Sequence, residues 1–257
     1  MSRKRAEGGW LWLSLLCIPL LARAGDPYQD DPAALVKAAI DHWRGTSSYA
    51  ELTMTIHRPG WERAMSMKAW TEGEKKSLVR VTAPKKDRGN GTLLIDRAMW
   101  TYSPKVNSIV KVPSSMMGQG WMGSDFSNQD IARSDEIVED YRHVLLETRQ
   151  TDEHTVYVIE CRPLEDAAVV WGKRVLQIRD DYIVLQDQFY DQDGALVKQL
   201  VTLNVAILGG RSVAQRQRME KLEAAGEWTE VTVAAQSFDI ELSPNLFTLS
   251  SLRNPRQ

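Results

Sequence analysis

The sequence describes a mainly β (α+β) protein organised around one large antiparallel sheet. Apolar and polar residues alternate at period two through most of residues 47–238. Turn residues interrupt that alternation roughly every eight to twelve positions. No helix-length connection separates neighbouring runs, which excludes a parallel α/β arrangement, whose crossovers are long.

Residues 1–24 carry the marks of a secretory signal. Ser2-Arg3-Lys4-Arg5 is a basic start and Trp10 to Leu21 a short apolar run. Ala22 and Ala24 then place small residues at the −3 and −1 positions of a cleavage site. The run falls short of the roughly 18 residues that a spanning helix needs, so cleavage after Ala24 is expected and no stable membrane anchor. Cys17 follows Leu16, a bulky residue where lipoprotein acylation sites carry a small one. Without a Pro/Ser-rich linker, residues 25–257 read as a single domain.

Cleavage removes Arg3, Lys4, Arg5 and Arg23 together with Glu7, which moves the formal charge from −2 to −5. Such a chain lacks the strongly basic character of a nucleic-acid binder. Hydrophobic residues make up 43% and charged residues 26%, which excludes disordered and collagenous classes. Cys161 is then the only cysteine, so no internal disulfide can form. Its place in the run Val156-Tyr157-Val158-Ile159-Glu160-Cys161 predicts a buried, inert thiol.

Asp31 followed by Pro32 is a helix start, and the helix is expected over 32–44 with Gly45 as its stop. Leu35, Ala39 and Trp43, four residues apart, form its apolar stripe. In 49–58, Ala50, Leu52, Met54 and Ile56 share one face of a strand. Pro59-Gly60 turns the chain, and Trp61, Met65, Met67 and Ala69 share a face of 61–71. Further strands are expected at 75–83, 92–95, 99–102 and 108–112. The second half repeats the pattern at 143–147, 154–162, 174–179, 182–190, 196–207, 215–222 and 228–238. Asp191-Gln192-Asp193-Gly194 is a hairpin turn.

Residues 113–133 break the alternation. Met116, Met117, Trp121, Met122 and Phe126 are interleaved with Gly118, Gly120 and Gly123. Ordering so flexible a backbone is entropically costly, and Met suits surfaces that accept varied apolar ligands. The segment therefore reads either as a mobile lid over a cavity or as a loop tucked onto the core. Ser127 is placed to cap a short helix through Ile131. The rows taken as inward, Leu52, Met54, Ile56, Met65 and Met67 with Trp100 and Tyr102, are rich in Met and aromatics. A half-open sheet around a lipid-sized cavity has this composition, and so has a plain sandwich core. These seven residues and the five apolar residues of the segment are the candidate ligand-binding set.

Catalytic and metal signatures are missing from the sequence. His42, His57, His143 and His154 are scattered, and no Gly-x-Ser-x-Gly elbow or phosphate loop occurs. The chain reads as a binding protein without metal or cofactor, not as an enzyme. Arg211, Arg216, Arg218 and Lys221 read as a solvated strand face.

Met99-Trp100-Thr101-Tyr102-Ser103-Pro104, then Met122-Gly123-Ser124-Asp125-Phe126-Ser127-Asn128-Gln129-Asp130-Ile131, resemble the signature of the outer membrane lipoprotein-sorting family, which is LolA-like. Phe238-Asp239-Ile240 and Leu246-Phe247-Thr248 resemble the family's ending. The resemblance implies an unclosed antiparallel β-barrel with a helical and loop lid over a cavity for the acyl chains of a lipoprotein or lipid. It also implies a periplasmic carrier or chaperone supplied by an inner-membrane exporter of the RND/MMPL or ABC type. A monomer is expected. Gly123, Ser124 and Asp125 are its motif positions, and Asp125 is expected to cap 127–132. The alternative is an envelope-stress sensor of the same fold that binds a membrane regulatory partner.

Overall fold

The computed structural model describes residues 28–133 and 136–254. The expected signal segment and cleavage site lie outside them. Helix α1 (Pro32–Arg44) forms where expected. The Asp31 carboxylate accepts from the Ala34 amide at 3.0 Å, and Gly45 leaves the helix at φ 63°. Leu35, Val36 and Ala39 are buried, but Trp43 is 43% exposed. Two steps of four residues overshoot whole turns by about 80°, so Trp43 rotates out of the expected stripe to the helix flank.

Thirteen strands follow among the described residues: β1 (Ser47–Arg58), β2 (Trp61–Glu72), β3 (Lys76–Ala83), β4 (Gly91–Ile95), β5 (Ala98–Ser103), β6 (Ser108–Lys111), β7 (Tyr141–Gln150), β8 (Thr155–Pro163), β9 (Lys173–Arg179), β10 (Val184–Tyr190), β11 (Leu196–Leu208), β12 (Arg211–Lys221) and β13 (Trp228–Phe238). They form one antiparallel sheet in the order β6-β5-β4-β3-β2-β1-β13-β12-β11-β10-β9-β8-β7. Each half of the chain is thus a meander, and the pairing of β1 with β13 welds the two. The sheet does not close. Its edges are β6 and β7, which are consecutive in the chain, so the connection between them has to cross the open side.

The inner face carries Leu52, Met54 and Ile56 of β1 opposite Met67, Met65 and Arg63 of β2. Met54, Ile56, Met65, Met67 and Val81 pack as a fully buried cluster. Trp61 begins β2 at the hairpin tip, where the cluster does not reach, and is 51% exposed beside the Arg58 guanidinium. Trp100 and Tyr102 do not belong to this row. The short turn between β4 and β5 sets Leu93 opposite Trp100 and Leu94 opposite Met99. Met99 therefore joins the inner side, while Trp100 and Tyr102 pack on the other face with Leu78, Leu93, Phe247 and Leu252. A one-residue phase change moves every side chain to the opposite face, and alternation cannot show the phase where both faces are apolar.

The C-terminal helix α4 (Leu249–Arg253) covers that outer face. Gly91 admits it: a Cβ there would stand 2.8 Å from Leu252 Cδ1. Cys161 is fully buried between α1 and the β7–β9 strands, and burial pushes its thiol up to about 12. A thiol-specific chromophoric reagent is expected to leave Cys161 unmodified in the native protein and to titrate it only in denaturant. Rapid native labelling would contradict the packing.

Candidate functional site

Residues 113–133 cross the opening and are held down at several points. Trp121 is 6% exposed and inserts into the methionine cluster, with its Nε1–H donating to Thr92 Oγ1 at 3.0 Å. A tight turn makes this insertion possible. A Cβ on Gly120 would stand 2.5 Å from the Ser124 carbonyl oxygen, so only glycine fits. Met122 takes the left-handed region at φ 52° and packs partly against the same cluster. Met117 packs with Leu94, Met99 and Ala132, whereas Met116 is 41% exposed.

Asp125 does not cap the following helix. Helix α2 (Asn128–Ala132) is capped by Ser127, whose hydroxyl accepts from the Asp130 amide while Asp130 accepts from the Ser127 amide. This reciprocal box, with the Asn128 and Gln129 amides donating to the Gln119 and Met117 carbonyl oxygens, leaves no first-turn donor for Asp125 to serve. Instead, the fully buried Asp125 carboxylate takes the Arg58 guanidinium in bidentate fashion, at 2.9 and 3.0 Å. It also accepts from Thr229 Oγ1 at 2.6 Å, and its own amide donates to the same hydroxyl at 3.0 Å. The segment is thereby clamped to β1 and β13. Of the two sequence readings, the tucked loop describes this half of the segment.

Its other half faces a cavity of about 370 Å³. The cavity lies between α1, the concave side of the sheet and the crossing segment, and its walls run from β2 through β1 and β13 to β9. That volume falls within the roughly 300–1,000 Å³ of small-molecule sites. Much of the wall is apolar: Leu52, Leu176, Ile178, Leu200, Val231 and Phe126. Of the candidate set, Leu52 and Phe126 line it. Met54, Ile56, Met65, Met67 and Trp121 fill space beside it. The space remains where side chains are small, at Ala39, Ala50 and Ala69, the last two paired directly across β1 and β2. Sequence reasoning searched for large residues, while the signal was the alanines in an inward row.

Sequence reasoning also missed a polar end. Arg174 and Asp187 form a buried ion pair, with Nε to Oδ1 at 3.2 Å and the guanidinium 4.6 Å above the Phe189 ring. Burial alone would depress the Arg174 guanidinium, but the adjacent Asp187 charge outweighs it and holds the group above its ordinary value. Lys198 is 4% exposed, bonds Asp130 and stands 4.7 Å from the Phe189 centroid and 5.0 Å from that of Trp171. Helix α3 (Glu136–Glu139), unpredicted because one turn shows no periodicity, brings Glu136 within 3.2 Å of Arg133 Nη1. Each charge at this end therefore has an opposite partner. His42 Nε2 donates to the Ser212 carbonyl oxygen at 2.8 Å, which engages the imidazole that borders the cavity.

The basic run of β12 is paired as well: Arg211 with Asp239, Arg218 with Glu230, and Lys221 at 3.7 Å from Asp125. Outside the cavity lining, His154, Asp180 and Asp181 bring possible metal-ligand atoms within 4.8 Å of one another, a grouping that no sequence motif announced. Arg179 bonds both His154 and Asp181, so a cation at that place would face a resident guanidinium. Among the described residues, no helix is long and apolar enough to cross a membrane.

A family model described as that of an uncharacterized protein matches residues 73–254, well over half of the chain. The chain belongs to this family. Its fold is similar to that of a DUF1329 family protein from Desulfovibrio piger, at 24% identity, 87% of this chain, 98% of that one and a TM-score of 0.78. A domain from Vibrio parahaemolyticus described as outer membrane lipoprotein-sorting is 23% identical over 86% of this chain and 97% of its own, with a TM-score of 0.74. A LolA superfamily protein from Nitrosomonas europaea is 22% identical over 84% and 97%, with a TM-score of 0.69. No curated protein matches. Within this fold the Gly123-Ser124-Asp125-Phe126 motif is a mechanical device. Its first three residues turn and anchor the crossing segment, and its fourth reaches the cavity.

Proposed function

We propose that this LolA-like protein is a periplasmic carrier, without catalytic activity, that shelters acyl chains of a lipoprotein or lipid between an inner-membrane exporter and the outer membrane. The observation that carries this reading is the cavity of about 370 Å³ kept between α1, the crossing segment and an unclosed sheet. A well-packed core leaves few voids larger than a water molecule, so retained space of this size is a binding feature. Burial of each CH₂ contributes about 0.8 kcal/mol, and about a dozen methylenes contribute on the order of 10 kcal/mol without any covalent step. The likeness in fold to a domain described as lipoprotein-sorting supports the cargo class. Cleavage after Ala24, an RND/MMPL or ABC exporter as donor and a monomeric state complete the proposal.

Native mass spectrometry of protein purified from periplasm is expected to show co-purified lipid or acylated peptide. Ala50→Phe fills the cavity from its wall and is expected to weaken fluorescent acyl-probe binding at least tenfold with a melting temperature within a few degrees. Wild-type protein that carries no lipid and ignores acyl probes would overturn the reading.

A further inference from the structure

We infer that Arg174 is the head-group donor of the cavity: its Nη1 binds the oxygen at the head of an acyl chain, and Asp187 is its positioning residue. This inference rests on the carrier reading and adds the residue that meets the head. Three observations carry it. First, Arg174 stands in the inward row of β9, paired across the sheet with Cys161 and Phe189, and borders the cavity. The guanidinium lies deep within the protein, yet 15% of the side chain stays accessible, and that surface opens on the cavity.

Second, the fork of Arg174 is only partly used. The Asp187 carboxylate takes Nε and Nη2, and the Phe189 ring covers one face of the guanidinium at 4.6 Å. Nη1 donates to no described residue and, unlike the Nε of Arg133, is not sealed from access. The rigid fork thus holds the two N–H groups of Nη1 ready for a guest oxygen, and a charge-assisted bond of this kind is stronger than a neutral one. Third, the inward row continues from Arg174 through Leu176 and Ile178, which also line the cavity. A donor at one end of an apolar wall matches a molecule whose oxygen ends a hydrocarbon chain. An ester or amide carbonyl and a carboxylate share that acceptor oxygen and differ in charge. Asp187 balances Arg174, so the charge of the guanidinium becomes free for a carboxylate only when Asp187 is neutralised.

The test uses the full chain stripped of lipid. Methyl laurate, isotopically labelled at its carbonyl carbon, is read by infrared difference spectroscopy. Laurate at pH 8 and methyl laurate are also compared by displacement of a fluorescent acyl probe. In wild type the ester carbonyl band is expected at the lowered frequency of a hydrogen-bonded carbonyl. The double variant Arg174→Met/Asp187→Leu removes the pair together and strands no charge. It is expected to return the band to its position in hydrocarbon solvent. Asp187→Asn is expected to tighten laurate at least tenfold while methyl laurate stays within threefold, a change of preference that a loosened core would not produce. An unshifted band in wild type, which needs no variant to fold, overturns the inference and leaves the carrier intact. So does a lowered band that survives the double variant, or no gain for laurate in Asp187→Asn. A wild-type protein that binds neither methyl laurate nor the probe overturns the carrier reading instead.

Discussion

Asp125→Ala is expected to cost about 3–5 kcal/mol of folding stability, the magnitude of breaking a buried ion pair from one side. The carboxylate is fully buried, and the Arg58 side chain facing it is 14% exposed. Its removal leaves the guanidinium with Glu227, at 3.2 Å, as its remaining counter-charge beside the His57 and Trp228 carbonyls, and takes the acceptor from the Thr229 hydroxyl. Asp125→Asn keeps the shape and loses the charge, so an intermediate loss is expected. The double variant Asp125→Leu/Arg58→Met removes both charges together and is expected to recover part of the loss. Urea unfolding gives the answer as a shifted midpoint at unchanged slope. A loss below about 1 kcal/mol for Asp125→Ala would show that the clamp is as weak as a solvent-exposed ion pair.

Trp121→Ala is expected to cost a further large amount, about 3–5 kcal/mol, through the cavity it opens. The indole sits among Met54, Ile56, Met65 and Met67 and satisfies Thr92, so truncation also strands a hydroxyl. From sequence, truncation at this position would lower ligand occupancy and spare the fold. The packing predicts the reverse. Stability falls sharply, while acyl-probe affinity in the surviving folded fraction stays within about twofold, because Trp121 does not border the cavity. Loss of binding at an unchanged unfolding midpoint would mean that ligand reaches under the indole.

The architecture was legible because period-two alternation with short turns is a local signal, and Asp31-Pro32 with Gly45 marks a helix by its ends. Phase was not legible. The inner or outer side of Trp100 is decided by the turn at Asp96-Arg97, where Asp96 takes φ 54°, and not by its own strand. Helices α3 and α4, of four and five residues, are too short to show a stripe. The ion pairs were hidden for a different reason. Asp125 and Arg58 are 67 residues apart, and Asp130 and Lys198 are 68 apart, so only tertiary structure brings them together. The motif pointed to the right segment, yet its most specific residue turned out to be a fastener.

A closed barrel has its girth dictated by strand number and stagger. Here β6 and β7 never meet, so the circumference is left open and the aperture between them can widen or narrow by bending the sheet. Such a change of curvature breaks no ladder hydrogen bond, because every strand keeps the neighbours it has. In the proposed carrier, cargoes of different thickness therefore share one frame.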